Sequence, residues 1–144
     1  MKNIYSNIFK VNNNNLSKAL KYLKEKELVG VPTETVYGLA GNAYSSNSVK
    51  KIYLLKKRPL KNPLIIHYYS LKQLKKDVVL NTNFSKLYKK FSPGPITFVL
   101  KKKKKSLLSN LATAKLKTVA VRFPKNKVLR QILKSLNFPL AIPS

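Results

Sequence analysis

Apolar positions along the chain switch between a helical period and short strand-like runs. Leu16, Ala19, Leu20 and Leu23 recur at three- and four-residue spacing, which predicts an amphipathic helix over 16–26 after the asparagine run. Leu28 to Val31 is a brief apolar run ended by Pro32 and predicts a buried strand. Residues 33–45 hold Gly38, Gly41 and Asn42 and predict a loop. Ser46 or Asn47 is the expected cap of a helix carrying Val49, Ile52, Tyr53 and Lys56, which must stop before Pro59. Leu64 to Tyr68 predicts a strand, and Ser70 the start of a short helix over Leu71 and Leu74. Phe84, Leu87, Tyr88 and Phe91 predict another helix, broken by Ser92-Pro93-Gly94-Pro95. Ile96 to Leu100 and Thr118 to Val121 predict strands, Val128 to Leu136 a helix, and Leu140 to Ile142 a last strand.

Strands alternating with helices predict an α/β sheet flanked by helices, in one domain without an internal repeat. No apolar run approaches ~18 residues and the N-terminus lacks the apolar centre of a signal peptide, so a soluble, cytoplasmic protein is expected, with no membrane partner.

The net charge of +26 changes this picture less than its size suggests. Of the 30 basic residues, 27 are lysine and three are arginine: Arg58, Arg122 and Arg130. Lysine and asparagine both come from AT-rich codons, so the charge predicts a diffuse, non-specific affinity for polyanions such as RNA rather than one particular partner. Against that background the arginines stand out. Two sit in local motifs, KKRP and VAVRFP, and only arginine offers a planar fork for carboxylate or phosphate. The acids number four: Glu25, Glu27, Glu34 and Asp77. Paired-carboxylate catalysis is therefore not expected. There is no cysteine and a single histidine, His67, so neither a disulfide framework nor a His/Cys metal site is expected.

One stretch concentrates what the rest lacks. VPTETVYGLAGNAY, residues 31–44, packs Pro32, two threonines, Glu34 and two glycines into one segment. Polar motifs follow several predicted strands: PTET after 28–31, His67 after 64–66, Arg122 after 118–121 and Ser144 after 140–142. Ligands of open α/β sheets bind where loops leave strand ends, so these groups are expected to converge there.

Together GVPTETVYGLAGNA, the KKRP–KNPLIIH block, FSPGPITFVLK, TVAVRFP and FPLAIPS resemble the YrdC-like threonylcarbamoyl-AMP synthases, in family order across about residues 28–144. The resemblance implies a YrdC-like twisted mixed sheet flanked by helices, with a basic concave cavity. It also implies a nucleotidyltransferase that converts L-threonine, bicarbonate or CO2, and Mg2+-ATP into L-threonylcarbamoyl-AMP and pyrophosphate. The product would serve modification of adenosine 37 in tRNA through a separate threonylcarbamoyl transferase.

Residue by residue, the resemblance places Thr35, His67, Arg122 and Ile142 at bound threonine. It places Lys56, Arg58, Asn62, Thr118 and Ser144 at ATP, with Lys56 and Arg58 also offsetting charge during phosphoryl transfer. Glu34 is expected to orient the loop or a water, without a catalytic role, and Mg2+ to be held by ATP oxygens and water. Lys57 stands where the family commonly has glycine. The single domain is expected to lack the family's C-terminal part, which leaves activity of this chain open. The alternative from another class is a non-catalytic module binding double-stranded RNA, or an inactive fragment.

Overall fold

The protein is described from a computed structural model, which describes residues 7–143. Six strands and five helices follow one another as α1 (Asn13–Lys24), β1 (Val29–Val31), β2 (Gly38–Asn42), α2 (Ser46–Lys56), β3 (Ile65–His67), α3 (Leu71–Leu74), α4 (Thr82–Phe91), β4 (Phe98–Lys101), β5 (Thr118–Arg122), α5 (Lys127–Lys134) and β6 (Leu140–Ala141). Each described helix begins at a capping side chain that accepts a first-turn N–H: Asn12, Ser45, Ser70, Asn81 or Asn126. The cap of α2 is thus Ser45, one position before the expected Ser46.

Helix α2 ends on Lys57, which takes the left-handed conformation at φ 48°. The Arg58 N–H then donates to the Tyr53 carbonyl at 3.0 Å and the Lys57 N–H to Leu54 at 3.3 Å. This pair of bonds closes the helix and turns the chain toward β3.

The strands form one mixed sheet in the order β1-β2-β6-β3-β5-β4. Only β3 and β5 pair in parallel; every other neighbouring pair is antiparallel. Strand β2 falls where a loop was expected. Its GLAGN sequence lacks a strand signature because neighbours press on its backbone: a side chain at Gly38 would run into Ile142 Cγ2, and one at Gly41 would meet Leu28 Cδ2 at 2.8 Å.

The sheet's two faces are covered unequally. One face carries Ile66, Phe98, Leu100, Val119, Val121 and Ala141 and is buried along its length beneath α2, α3 and α4, through Val49, Ile52, Leu74 and Phe84. The opposite face is covered by helices only over β1, β2 and β6, where Ala40, Leu140 and Ile142 pack against Leu23 of α1 and Leu129, Ile132 and Leu133 of α5. Over β3, β5 and β4 no described helix lies on that face. Val99, which pairs with Ala120, is 69 % exposed there.

The lysine run 101–105 is tied down where it leaves β4. Lys101 ends β4, Lys102 Nζ donates to Asn110 Oδ1 and Thr113 Oγ1 at 3.2 Å, and Lys103 Nζ donates to the Lys75 carbonyl at 2.6 Å. Beneath it lies Asp77, 1 % exposed, whose carboxylate accepts hydroxyl hydrogens from Tyr44, Tyr68 and Ser106, each at 2.8 Å. Burial first, and the Asp77 charge after it, raises both tyrosine hydroxyls above their ordinary range. Among the described residues no helix is long and apolar enough to cross a membrane.

Candidate active site

The expected convergence at strand ends holds only in part. Parallel pairing sets His67 of β3 directly opposite Arg122 of β5, at the same end of the sheet. Strands β1 and β6 run the other way, so the segments following them leave by the opposite end. What draws the PTET loop toward His67 and Arg122 is Glu34. Its carboxylate accepts from the backbone N–H of Lys125 and, at 3.3 Å, of Asn126, just before α5. Thr33 shapes the loop from within: its hydroxyl bonds the Val36 carbonyl and accepts from the Val36 N–H at 3.2 Å. Thr35 is left exposed at the tip.

His67 is 3 % exposed. Its Nδ1 lies 3.2 Å from the Ile65 carbonyl, which can only accept, so Nδ1 carries the hydrogen of a neutral ring. Burial, reinforced by the Arg122 cation, lowers its pKa from 6.5 to about 4, although the Ile65 carbonyl and Glu34 act in the other direction. At neutral pH the Arg122 cation therefore sits beside an uncharged imidazole.

Arg122 is half-buried and, among the described residues, has no carboxylate partner; the ion pair found among them is Lys51–Glu27, on the surface. Its Nε and one Nη donate to a single hydroxyl, Thr97 Oγ1, at 3.1 and 2.7 Å. Thr97 immediately precedes β4, where the Phe98–Val121 pairing puts it across from Arg122. Nothing in the local sequence marks this partner, because it depends on strand register.

Of the residues expected at ATP, Thr118, Arg58 and Asn62 lie toward the other end of the same strands. Thr118 opens β5, four residues from Arg122, or about 13 Å at the strand rise of roughly 3.3 Å per residue. Alternation puts Thr118, Ala120 and Arg122 on the bare face. Arg58 and Asn62 lie in the segment entering β3, with Arg58 Nε donating to the Asn62 carbonyl at 3.2 Å and Nη2 to the Pro63 carbonyl at 2.9 Å. Asn62 thus holds the arginine through its backbone. Lys56 is exposed at the end of α2. Ile142 is buried, donates its N–H to the Ile65 carbonyl at 3.1 Å, and packs against Gly38 beneath the PTET loop. Ser144 lies outside the described residues.

The third arginine is structural. Arg130 donates to the Pro124 carbonyl at 3.2 Å and lies over the Tyr69 ring at 4.6 Å, fixing the turn that receives Glu34. A cavity of about 200 Å³ between α1 and α5 is lined by Leu16, Leu20 and Ile132 among others and by none of these groups. None of the acids is placed to cage a metal. Asp77 is engaged by hydroxyls, Glu34 by backbone N–H groups, and no cluster of three metal-binding side chains exists among the described residues.

Fold and site together define an α/β protein whose half-bare sheet has an arginine near each end, Arg122 beside His67 and Arg58 in the segment entering β3. Residues 21–144 match the Sua5/yciO/yrdC family, described as "Telomere recombination", and the chain belongs to that family. It is 41 % identical over 129 residues to a threonylcarbamoyl-AMP synthase of Pyrococcus abyssi, covering 88 % of this chain and 37 % of the relative. To a protein of the same name from Bacillus subtilis it is 40 % identical over 134 residues, covering 92 % and 38 %. The crystal structure of P. abyssi Sua5 complexed with L-threonine superposes with a TM-score of 0.87 at 38 % identity, covering 94 % of this chain and 40 % of that one. The chain thus spans less than two-fifths of the length of these two curated relatives.

Proposed function

We propose that this chain is the catalytic YrdC-like domain of a threonylcarbamoyl-AMP synthase. The observation that carries the reading is Arg122. It is a half-buried guanidinium with no carboxylate partner among the described residues, set beside neutral His67 and near the PTET loop, and it suits the carboxylate of a bound amino acid. Support also comes from the relatives named threonylcarbamoyl-AMP synthase and from the related structure holding L-threonine.

In this reading Thr35, His67, Arg122 and the backbone near Ile142 receive L-threonine, while Lys56, Arg58, Asn62, Thr118 and Ser144 face ATP. The threonine amine loses a proton to water and adds to CO2, supplied directly or from bicarbonate, forming the N–C bond of a carbamate. A carbamate oxygen then bonds to the α-phosphorus, the bond from that phosphorus to the bridging oxygen breaks, and pyrophosphate leaves. The carbamate is itself the nucleophile, so the chain needs to position and to offset charge rather than to supply a strong base. That matches a site with a neutral histidine and no free carboxylate. The chain's acids do not form a Mg2+ cage; a magnesium ion would arrive on ATP oxygens and water. The product would pass to a separate transferase acting on adenosine 37 of tRNA, in the cytoplasm.

The test is to incubate the 144-residue chain with ATP, Mg2+, bicarbonate and labelled L-threonine and to follow threonylcarbamoyl-AMP and pyrophosphate by mass spectrometry. Product requiring all three substrates is expected. Arg122→Ala should raise the KM for threonine about tenfold or more, and Arg58→Ala that for ATP by a similar factor. No product from the folded chain, or variants with unchanged constants, would remove this assignment.

A further inference from the structure

Both site arginines are gripped by the same edge. The Nε/Nη2 edge of Arg58 is held by the carbonyls of Asn62 and Pro63, and that of Arg122 by the one hydroxyl of Thr97. In each case Nη1 meets no acceptor among the described residues. A guanidinium presents two forks to a planar anion, a side-on fork of Nε with Nη2 and an end-on fork of Nη1 with Nη2. With the side-on fork taken, only the end-on fork is free to meet a ligand.

At Arg58 the grip is backbone and belongs to the turn. At Arg122 it is a side chain, and it is specific. A threonine hydroxyl has two lone pairs and one hydrogen. Two N–H donors, at 3.1 and 2.7 Å, use its acceptor capacity. What remains is its hydrogen, so a group settling against the Arg122–Thr97 pair meets donors alone. An ammonium is repelled and a carboxylate oxygen is accepted.

We propose that Thr97 is the positioning residue for Arg122 and that the two form one anion-binding unit, whose end-on fork receives the carboxylate of the amino-acid substrate. This rests on the reading of the threonine site above and adds to it the residue that orients the arginine. Lysine at 122 could not be held in this way. Removing the Thr97 hydroxyl would leave the guanidinium free to rotate and its side-on fork to compete for the ligand.

The experiment compares the full chain with Thr97→Val, which keeps the side-chain shape, and Thr97→Ser, which keeps the hydroxyl. L-threonine is titrated by calorimetry, and exchange of the Arg122 Nε hydrogen is read by NMR without ligand. Thr97→Val is expected to weaken L-threonine binding about tenfold or more, leave ATP binding unchanged and speed Nε–H exchange. Thr97→Ser should restore affinity and exchange to within about threefold of the parent. Parental affinity in Thr97→Val, or a serine variant as weak as the valine one, overturns the proposal. If the parent chain itself takes no L-threonine, the reading of the site fails; the Nε–H signal then decides the grip separately. Exchange as fast as that of an exposed arginine would overturn that too.

Discussion

Glu34 and Asn126 stand 92 residues apart and share a hydrogen bond of 3.3 Å, the Asn126 N–H donating to the Glu34 carboxylate. With the Lys125 N–H on the same oxygen, this contact anchors the PTET loop to the start of α5. Removing it should mislocate Thr35 without harming the core. Glu34→Ala is expected to raise the KM for L-threonine about tenfold, and Glu34→Gln, which keeps an accepting oxygen, about threefold or less. Steady-state kinetics with threonine as the varied substrate checks this; equal constants in all three proteins would detach the loop from the site.

His67 links the site to pH. Its pKa in the folded chain is about 4 against an ordinary 6.5, so between these values the unfolded chain binds the proton that the folded chain refuses. Its neutral state therefore costs the fold nothing above pH 6.5, and stability falls as the pH drops from 6.5 toward 4. The loss reaches on the order of 3 kcal/mol at ~1.4 kcal/mol per pKa unit. Urea midpoints at about pH 7 and about pH 4.5 should differ more in the parent than in His67→Gln, and equal differences would mean that the ring is charged in the fold.

Asp77 should be the costliest surface-to-core anchor to lose. Asp77→Ala strands the hydroxyls of Tyr44, Tyr68 and Ser106 and frees the lysine-rich segment above them. About 3 kcal/mol or more of stability should disappear, read as a lower denaturant midpoint. A loss below about 1 kcal/mol would show that water replaces the carboxylate at little cost.

Lys57 is strained in a correctable way. At φ 48° a side chain costs roughly 1 kcal/mol that glycine avoids, so Lys57→Gly should stabilise the chain by about that amount. An unchanged or lowered midpoint would mean that the lysine side chain offsets its backbone.

The Ser70 cap, the helical spacings and most strands were legible because they rest on local chemistry. Ser70 and the apolar spacing of α5 act within a few residues of where they are read, whereas the caps Asn12 and Ser45 lie before the starts that the apolar spacing marks. Strand β2 was illegible because its glycines answer to Ile142 and Leu28, which are distant or lie beyond the strand's own pattern. The site split the same way. His67, Arg122 and Arg58 could be singled out in the sequence, whereas Thr97 and the partner of Glu34 emerge only once register joins β4 to β5 and the loop to α5. The PTET segment leaves β1 at the opposite end from His67 and Arg122 because β1 runs opposite to β3 and β5, and it is the Glu34 contact that draws it back toward them.

The bare half of the sheet has a calorimetric consequence. Val99 and its neighbours Ala120 and Ile65 present a hydrated apolar floor between the two arginine ends. A ligand spanning those ends must displace that water. Its binding enthalpy should therefore become steadily more negative with rising temperature, a negative heat-capacity change that charge pairing at the two ends would not by itself produce. The floor thus lets a flat, partly apolar molecule be told from a simple anion by heat alone.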